Sequence, residues 1–184
     1  MEKQKITPKR SITEETEALL NKQIMMEGKS SAAYLSMASW CDTHGFEVSA
    51  DFLYKHSEEE RMHMLKLFRY INAAGGHAVQ PEISGLKHTF NSLKEVFEHV
   101  LMHELDVTKS INGIVDHCFQ IKDFATFNFL QWYVMEQREE ETLARRAVEL
   151  FEIIGEEGVG LFMIDQEIGK LEAYAGRISG KLTT

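Results

Sequence analysis

Five glutamates and one histidine occupy positions where a helical chain should present apolar side chains to its core. Glu60-Arg-Met-His63 sets a carboxylate and an imidazole three residues apart, a spacing that on a helix brings both to one face, within reach of a single ion. Wound at ~100° per residue, the chain shows four apolar stripes, each interrupted by acid. Glu27 falls in line with Leu20, Ser31, Tyr34, Ala38 and Cys41. Glu60 falls in line with Leu53, Met64, Leu67 and Ile71, with His63 to one side. Glu104 is flanked by Leu93, Phe97, Val100, Ile111, Val115 and Cys118. Glu136 and Glu140 interrupt Phe129, Tyr133, Leu143, Ala147, Phe151 and Ile154. Ionised carboxylates in an apolar interior are costly unless a cation compensates them, and no stripe carries lysine or arginine at that level. The compensating charge is expected to be metal. Oxygen donors with one imidazole and no thiolate favour iron or manganese over zinc or copper. A carboxylate can bridge two ions, so this donor set suits a dinuclear centre.

Long helices must carry these donors. Ser11-Ile-Thr-Glu14 and Ser92-Leu-Lys-Glu95 match the capping box that satisfies orphan amides at a helix start. With the glycines, they predict helices over 12–44, 46–74, 92–120 and 123–154, and a shorter one over 160–175. The glutamates then lie at similar depths and meet near mid-height. The stretch from Gly75 to Asn91 is too long for a tight hairpin, whereas the other connections are short. One long crossover makes its flanking helices parallel. The expected class is therefore all-α, a four-helix bundle with a long crossover between helices 2 and 3 and a short C-terminal fifth helix. Residues 1–11 are expected to form a flexible extension, 12–176 the bundle with its fifth helix, and 177–184 a tail.

Composition agrees and excludes other classes. The chain has 184 residues, enough for one domain with a substantial core. Its two prolines suit uninterrupted helices. Lys+Arg 20 against Asp+Glu 29 gives a net charge of −9, which disfavours a nucleic-acid or anionic-membrane partner and favours cations. The basic N-terminal residues lack the apolar core of a signal peptide, so a cytoplasmic protein is expected. Cys41 and Cys118 lie in separate apolar stripes and read as reduced core thiols.

The segments Glu27-Gly-Lys-Ser-Ser-Ala-Ala-Tyr34, Glu59-Glu60-Arg-Met-His63, His103-Glu104 and Phe127-Asn-Phe-Leu-Gln-Trp132-Tyr-Val-Met-Glu136-Gln137-Arg-Glu139-Glu140 resemble those of non-haem bacterial ferritins, over about residues 12–175. The resemblance implies iron storage in a hollow homo-oligomeric shell of 24 subunits, with ferroxidase activity. One iron would be held by Glu27, Glu60 and His63, and a second by Glu60 as bridge with Glu104 and Glu140. A third, weaker iron position would be served by Glu59, Glu136, Glu139 and Glu140. Tyr34 would stand beside the centre, and Gln137 beside the second iron. Fe(II) would be oxidised by dioxygen or hydrogen peroxide, and the Fe(III) product would pass to the interior as mineral. The related bacterioferritins carry a second Glu-x-x-His where this chain has Glu140-Glu-Thr-Leu143. Their haem-ligating methionine falls on Arg61, so haem is not expected.

Plainer readings compete. Glu58 and Glu141 read as solvated surface charge. Glu59 and Glu139, ~80–100° off the stripe centre, would read as surface residues without the resemblance. The seven histidines other than His63 default to surface or structural roles; His56, one turn before Glu60 on the same face, is the most plausible exception. Two other functions use the same sequence: a di-iron peroxidase or oxygenase without mineral storage, and a metal-free structural bundle.

Overall fold

The computed structural model describes residues 10–173, and these form five helices: α1 (Glu14–Thr43), α2 (Glu47–Ala73), α3 (Leu93–Gln120), α4 (Phe124–Ile154) and α5 (Gly160–Ile168). The four long helices match the sequence expectation closely. The fifth does not: α5 ends at Ile168 with Gly169 as its C-cap, and the chain turns before residues 171–173 become helical again. Of the expected 1–11 extension only Arg10 and Ser11 are described, and both are tied down. Arg10 pairs with Glu17, and the Ser11 amide donates to the Ala74 carbonyl at 3.0 Å. The 177–184 tail lies outside the described residues. Among those described, no helix is long and apolar enough to cross a membrane.

Capping is partly relocated from the sequence reading. Ser92 caps α3, accepting from the Glu95 amide at 3.1 Å. On α1 the cap is Thr13, which accepts from the Thr16 amide, and not Ser11. Helix α2 has no side-chain cap of its own at Phe46. Asp165 of α5 supplies one from across the fold: its carboxylate accepts from the Ser49 amide at 2.8 Å, the Ser49 hydroxyl at 2.6 Å and the Val48 amide at 3.4 Å. A buried carboxylate that satisfies orphan amides at a helix start is worth a cap plus a charge-assisted hydrogen bond. Asp165→Ala is accordingly expected to lower stability by about 1–3 kcal/mol, read as a reduced urea midpoint. An unchanged midpoint would show that α5 contributes no cap.

The direction of each helix follows from its core residues. One apolar cluster contains Met37, Leu53, Val96, Phe97, Leu143 and Ala147; the other contains Leu20, Ile24, Leu67, Ile71, Ile111 and Leu130. Helix α1 and α4 run from the second cluster to the first, and α2 and α3 run the opposite way. Helices α2 and α3, successive in the chain, are therefore parallel, and the segment 75–91 spans the bundle's height to join them. It lies along α1: Asn21 donates to the His77 carbonyl at 3.0 Å near one end, and Ser36 donates to the Lys87 carbonyl at 2.7 Å near the other. Gly28 permits its close approach, because a Cβ there would meet Pro81 Cγ at 3.1 Å and Ile83 Cδ1 at 3.2 Å. Cys41 and Cys118 are buried free thiols in different clusters.

Buried positions on α1 include 16, 20, 23, 27, 30, 34, 37 and 41, and on α4 they include 126, 130, 133, 137, 140, 144, 147 and 151, with the remaining buried residues flanking these. This alternation of fours and threes is the 3.5-residue repeat of helices packed with a slight left-handed supercoil. A polar belt then separates the two apolar clusters at mid-height.

Candidate metal centre

Each long helix delivers one glutamate to the belt. Glu27, Glu60, Glu104 and Glu140 are all buried. Glu136 is not. It is half-buried, and Gln137 takes the interior position beside it. The 3.6-residue wheel assigned Glu136 inward; the observed 3.5-residue repeat rotates the stripe by roughly 20° per heptad and brings Gln137 in.

Donor atoms of Glu27, Glu60 and His63 lie within 4.8 Å of one another, close enough for one ion. His63 Nδ1 stands 3.8 Å from Glu27 Oε2 and 3.9 Å from Glu60 Oε1, too far for hydrogen bonds. Neither Glu27 Oε2, Glu60 Oε2 nor His63 Nδ1 has a hydrogen-bond partner. Buried polar atoms are nearly always satisfied, so three unsatisfied donors converging on one point fit a cation. Burial and the adjacent Glu27 carboxylate push Glu60 well above the usual carboxylate range. Burial favours the neutral His63 ring, the form that binds metal, although Glu27 and Glu140 oppose the shift.

Glu104 is held differently. It accepts from the Tyr34 hydroxyl at 2.5 Å and from Gln137 Nε2 at 3.1 Å. Burial and the Glu140 charge raise it to about 7, against the lowering effect of those two donors. The geometry thus joins Tyr34 and Gln137 to the centre through Glu104, orienting a carboxylate that stands outside the first cluster.

A cleft of about 810 Å³ opens between α2 and α4 onto this belt; its lining includes His56, Glu59, His63, Trp132, Glu136, Glu139 and Glu140. The ammonium of Lys66 sits over the Trp132 ring at 3.3 Å, beside His63, whose ring lies 5.5 Å from that of Trp132. Donors of His56, Glu59 and Glu140 form a second group within 4.8 Å. Glu136 and Glu139 line the same cleft without entering that group.

Gln23 and Ser30 carry no mark in the sequence reading. Gln23 is buried, donates to Glu27 and accepts from Ser110 at 2.6 Å. Tyr133 is buried nearby, its phenol raised far above the usual range by burial and by Glu27 and Glu60. His103, assigned a surface or structural role, is structural: its Nε2 lies 2.5 Å from the Ser30 hydroxyl. Gln23 and Ser30 lie on the 3.5-residue repeat of α1, which is the signal that would have found them.

Comparison with known proteins gives a consistent result. A family model described as a ferritin-like domain matches residues 17–154. A probable bacterial non-haem ferritin-like protein of Haemophilus influenzae is 46% identical over 164 residues, covering 89% of this chain and 99% of the relative. A bacterial non-haem ferritin of Campylobacter jejuni is 44% identical over 157 residues, covering 85% and 94%. Among solved structures, an open-pore ferritin from the hyperthermophilic archaeon Archaeoglobus fulgidus superposes with a TM-score of 0.83 at 40% identity, covering 86% of this chain and 97% of that one.

Proposed function

The chain belongs to the ferritin family, and from that premise we propose that it is an iron-storage protein that oxidises Fe(II) at a di-iron centre inside each subunit. The observation that carries the reading is the convergence of Glu27, Glu60 and His63, each with one buried atom (Glu27 Oε2, Glu60 Oε2, His63 Nδ1) that has no hydrogen-bond partner, in a belt between two apolar clusters. One Fe(II) binds these three. The second binds between Glu60, Glu104 and Glu140, with Tyr34 and Gln137 fixing the Glu104 carboxylate. Four carboxylates around two divalent ions balance their charge, which removes the repulsion that the belt otherwise carries.

Each Fe(II) gives one electron to dioxygen or hydrogen peroxide. Carboxylate-rich coordination favours the ferric product, and the cleft at Glu59, Glu136, Glu139 and Glu140 offers acidic side chains to receive an ion as it leaves the centre. The oxidised iron collects as a ferric mineral within a homo-oligomeric shell of 24 chains. A di-iron peroxidase would share the ligands but not the shell. Electron microscopy of the purified protein after aerobic Fe(II) loading is expected to show hollow particles with electron-dense centres, built from chains of 21.1 kDa. Small oligomers without mineral, still oxidising iron, would reject storage in favour of the peroxidase.

A further inference from the structure

We propose that a groove between α3 and α4 is the port through which hydrogen peroxide reaches the centre, received there by Gln137 Oε1 and the Thr108 hydroxyl. The proposal rests on the iron reading above and deepens it by giving the oxidant an entrance of its own. The groove has a volume of about 320 Å³, and its lining includes Thr108 and Asn112 of α3 and Met135, Gln137, Arg138 and Glu141 of α4. It is separate from the acidic cleft, which lies between α2 and α4. The two charged residues of its lining, Arg138 and Glu141, are of opposite sign, whereas acids outnumber lysines and arginines in the cleft. The groove therefore offers a cation no net attraction, and a neutral guest suits it better.

Gln137 stands between this groove and the centre. It is 2% exposed, and its Nε2 donates to the Glu104 carbonyl at 3.3 Å, to Glu104 Oε2 at 3.1 Å and to Thr108 Oγ1 at 3.3 Å. A backbone carbonyl can only accept, so Nε2 is fixed on the Glu104 side and Oε1 on the other. That Oε1 is buried and has no hydrogen-bond partner. Buried acceptors are nearly always satisfied, and this one belongs to a residue that lines the groove. The Thr108 hydroxyl accepts from Nε2 and keeps its own proton to donate. One acceptor beside one donor suits a small guest that both gives and takes a hydrogen bond. Dioxygen has no proton to offer Oε1, whereas each oxygen of hydrogen peroxide donates and accepts. Because the same amide holds Glu104, a proposed ligand of the second iron, a guest on Oε1 stands one side chain from that ion. In the step served, the peroxide O–O bond breaks, two Fe(II) give one electron each, and two protons from solvent complete two waters.

Two variants test the port, read by stopped-flow oxidation of anaerobic Fe(II) over a range of peroxide concentrations and again with dioxygen. Thr108→Val keeps the side-chain shape and deletes the donor; the KM for peroxide is expected to rise ~3–10-fold, the loss of one hydrogen bond, with kcat unchanged. Met135→Trp, at a position 60% exposed, fills the groove and should lower kcat/KM for peroxide at least ~10-fold. In both variants the rate with dioxygen, the Zn(II) affinity of the metal-free protein and the size of the assembly are expected to match the unaltered protein. An effect passed through Glu104 would instead lower the rates with both oxidants alike. That equal loss, or an unchanged peroxide KM in Thr108→Val, would overturn the port and leave the iron reading standing. Absence of Fe(II) oxidation in the unaltered protein would overturn both.

Discussion

Glu60→Ala is expected to reduce the initial rate of Fe(II) oxidation at least ~100-fold, with the helical fold retained. Glu60 is the residue whose loss should cost most, because it faces every other acid of the belt: Glu27, Glu104 and Glu140 all act on its charge. Its Oε1 lies 3.9 Å from His63 Nδ1 and its charge interacts with that of Glu104, so as the proposed bridge its removal takes a donor from both irons. His63→Ala removes one donor from one iron and should cost less, on the order of 10–100-fold. Folding should survive either change, since the side chain deleted from Glu60 is a carboxylate buried against like charge and not an apolar anchor. Stopped-flow absorbance after anaerobic Fe(II) is mixed with dioxygen reads the effect, and circular dichroism checks the fold. An initial rate equal to that of the unaltered protein would remove Glu60 from the centre.

A second large effect concerns the protein without metal. Between about pH 6.5 and about pH 9 its stability is expected to fall as pH rises, and saturating Zn(II) should abolish most of the slope. An acid with a higher pKa folded than unfolded binds more protons in the native state, so the native state loses ground as pH climbs. Glu104, pushed to about 7 by burial and by Glu140, incurs its penalty over the range up to that value. Glu60, driven well above the carboxylate range by burial and Glu27, acts with the same sign. His56 acts with the same sign. Burial opposes its protonation, but Glu140 and Glu59 prevail and raise it to about 9, giving stability that is full below ~6.5 and lost as pH passes through 9. The neutral rings of His63 and His103 work in the opposite direction, but only at pH values below ~6.5. A metal takes the place of these protons and relieves the repulsion among the carboxylates. The melting temperature of the metal-free protein should drop by at least ~4 °C across the window. A flat or rising profile would mean that the belt's carboxylates are not poised by mutual burial.

Much of this was legible in the sequence, for a definite reason. Glu27, Glu60, Glu104 and Glu140 each break an apolar stripe on their own helix, so a single element reveals that a charge points inward. Helix boundaries were equally local, set by apolar period, glycine and caps. Where the reading slipped, the cause was the supercoil. The inward placing of Glu136, and the silence on Gln23, came from winding a straight 3.6-residue helix where packed helices follow 3.5.

Tertiary structure decided the rest, because its partners lie on different helices. Asp165 reaches from α5 to cap α2, a pairing that no neighbouring residue announces. Tyr34 of α1 and Gln137 of α4 meet on Glu104 of α3. On α2 alone His56 is one histidine a turn before a glutamate; only when α4 packs against α2 does Glu140 arrive 3.2 Å from its ring. One chain's periodicity fixes which side chains turn inward. Which of them meet depends on the height at which four rods stack, and that is set by packing across the whole bundle.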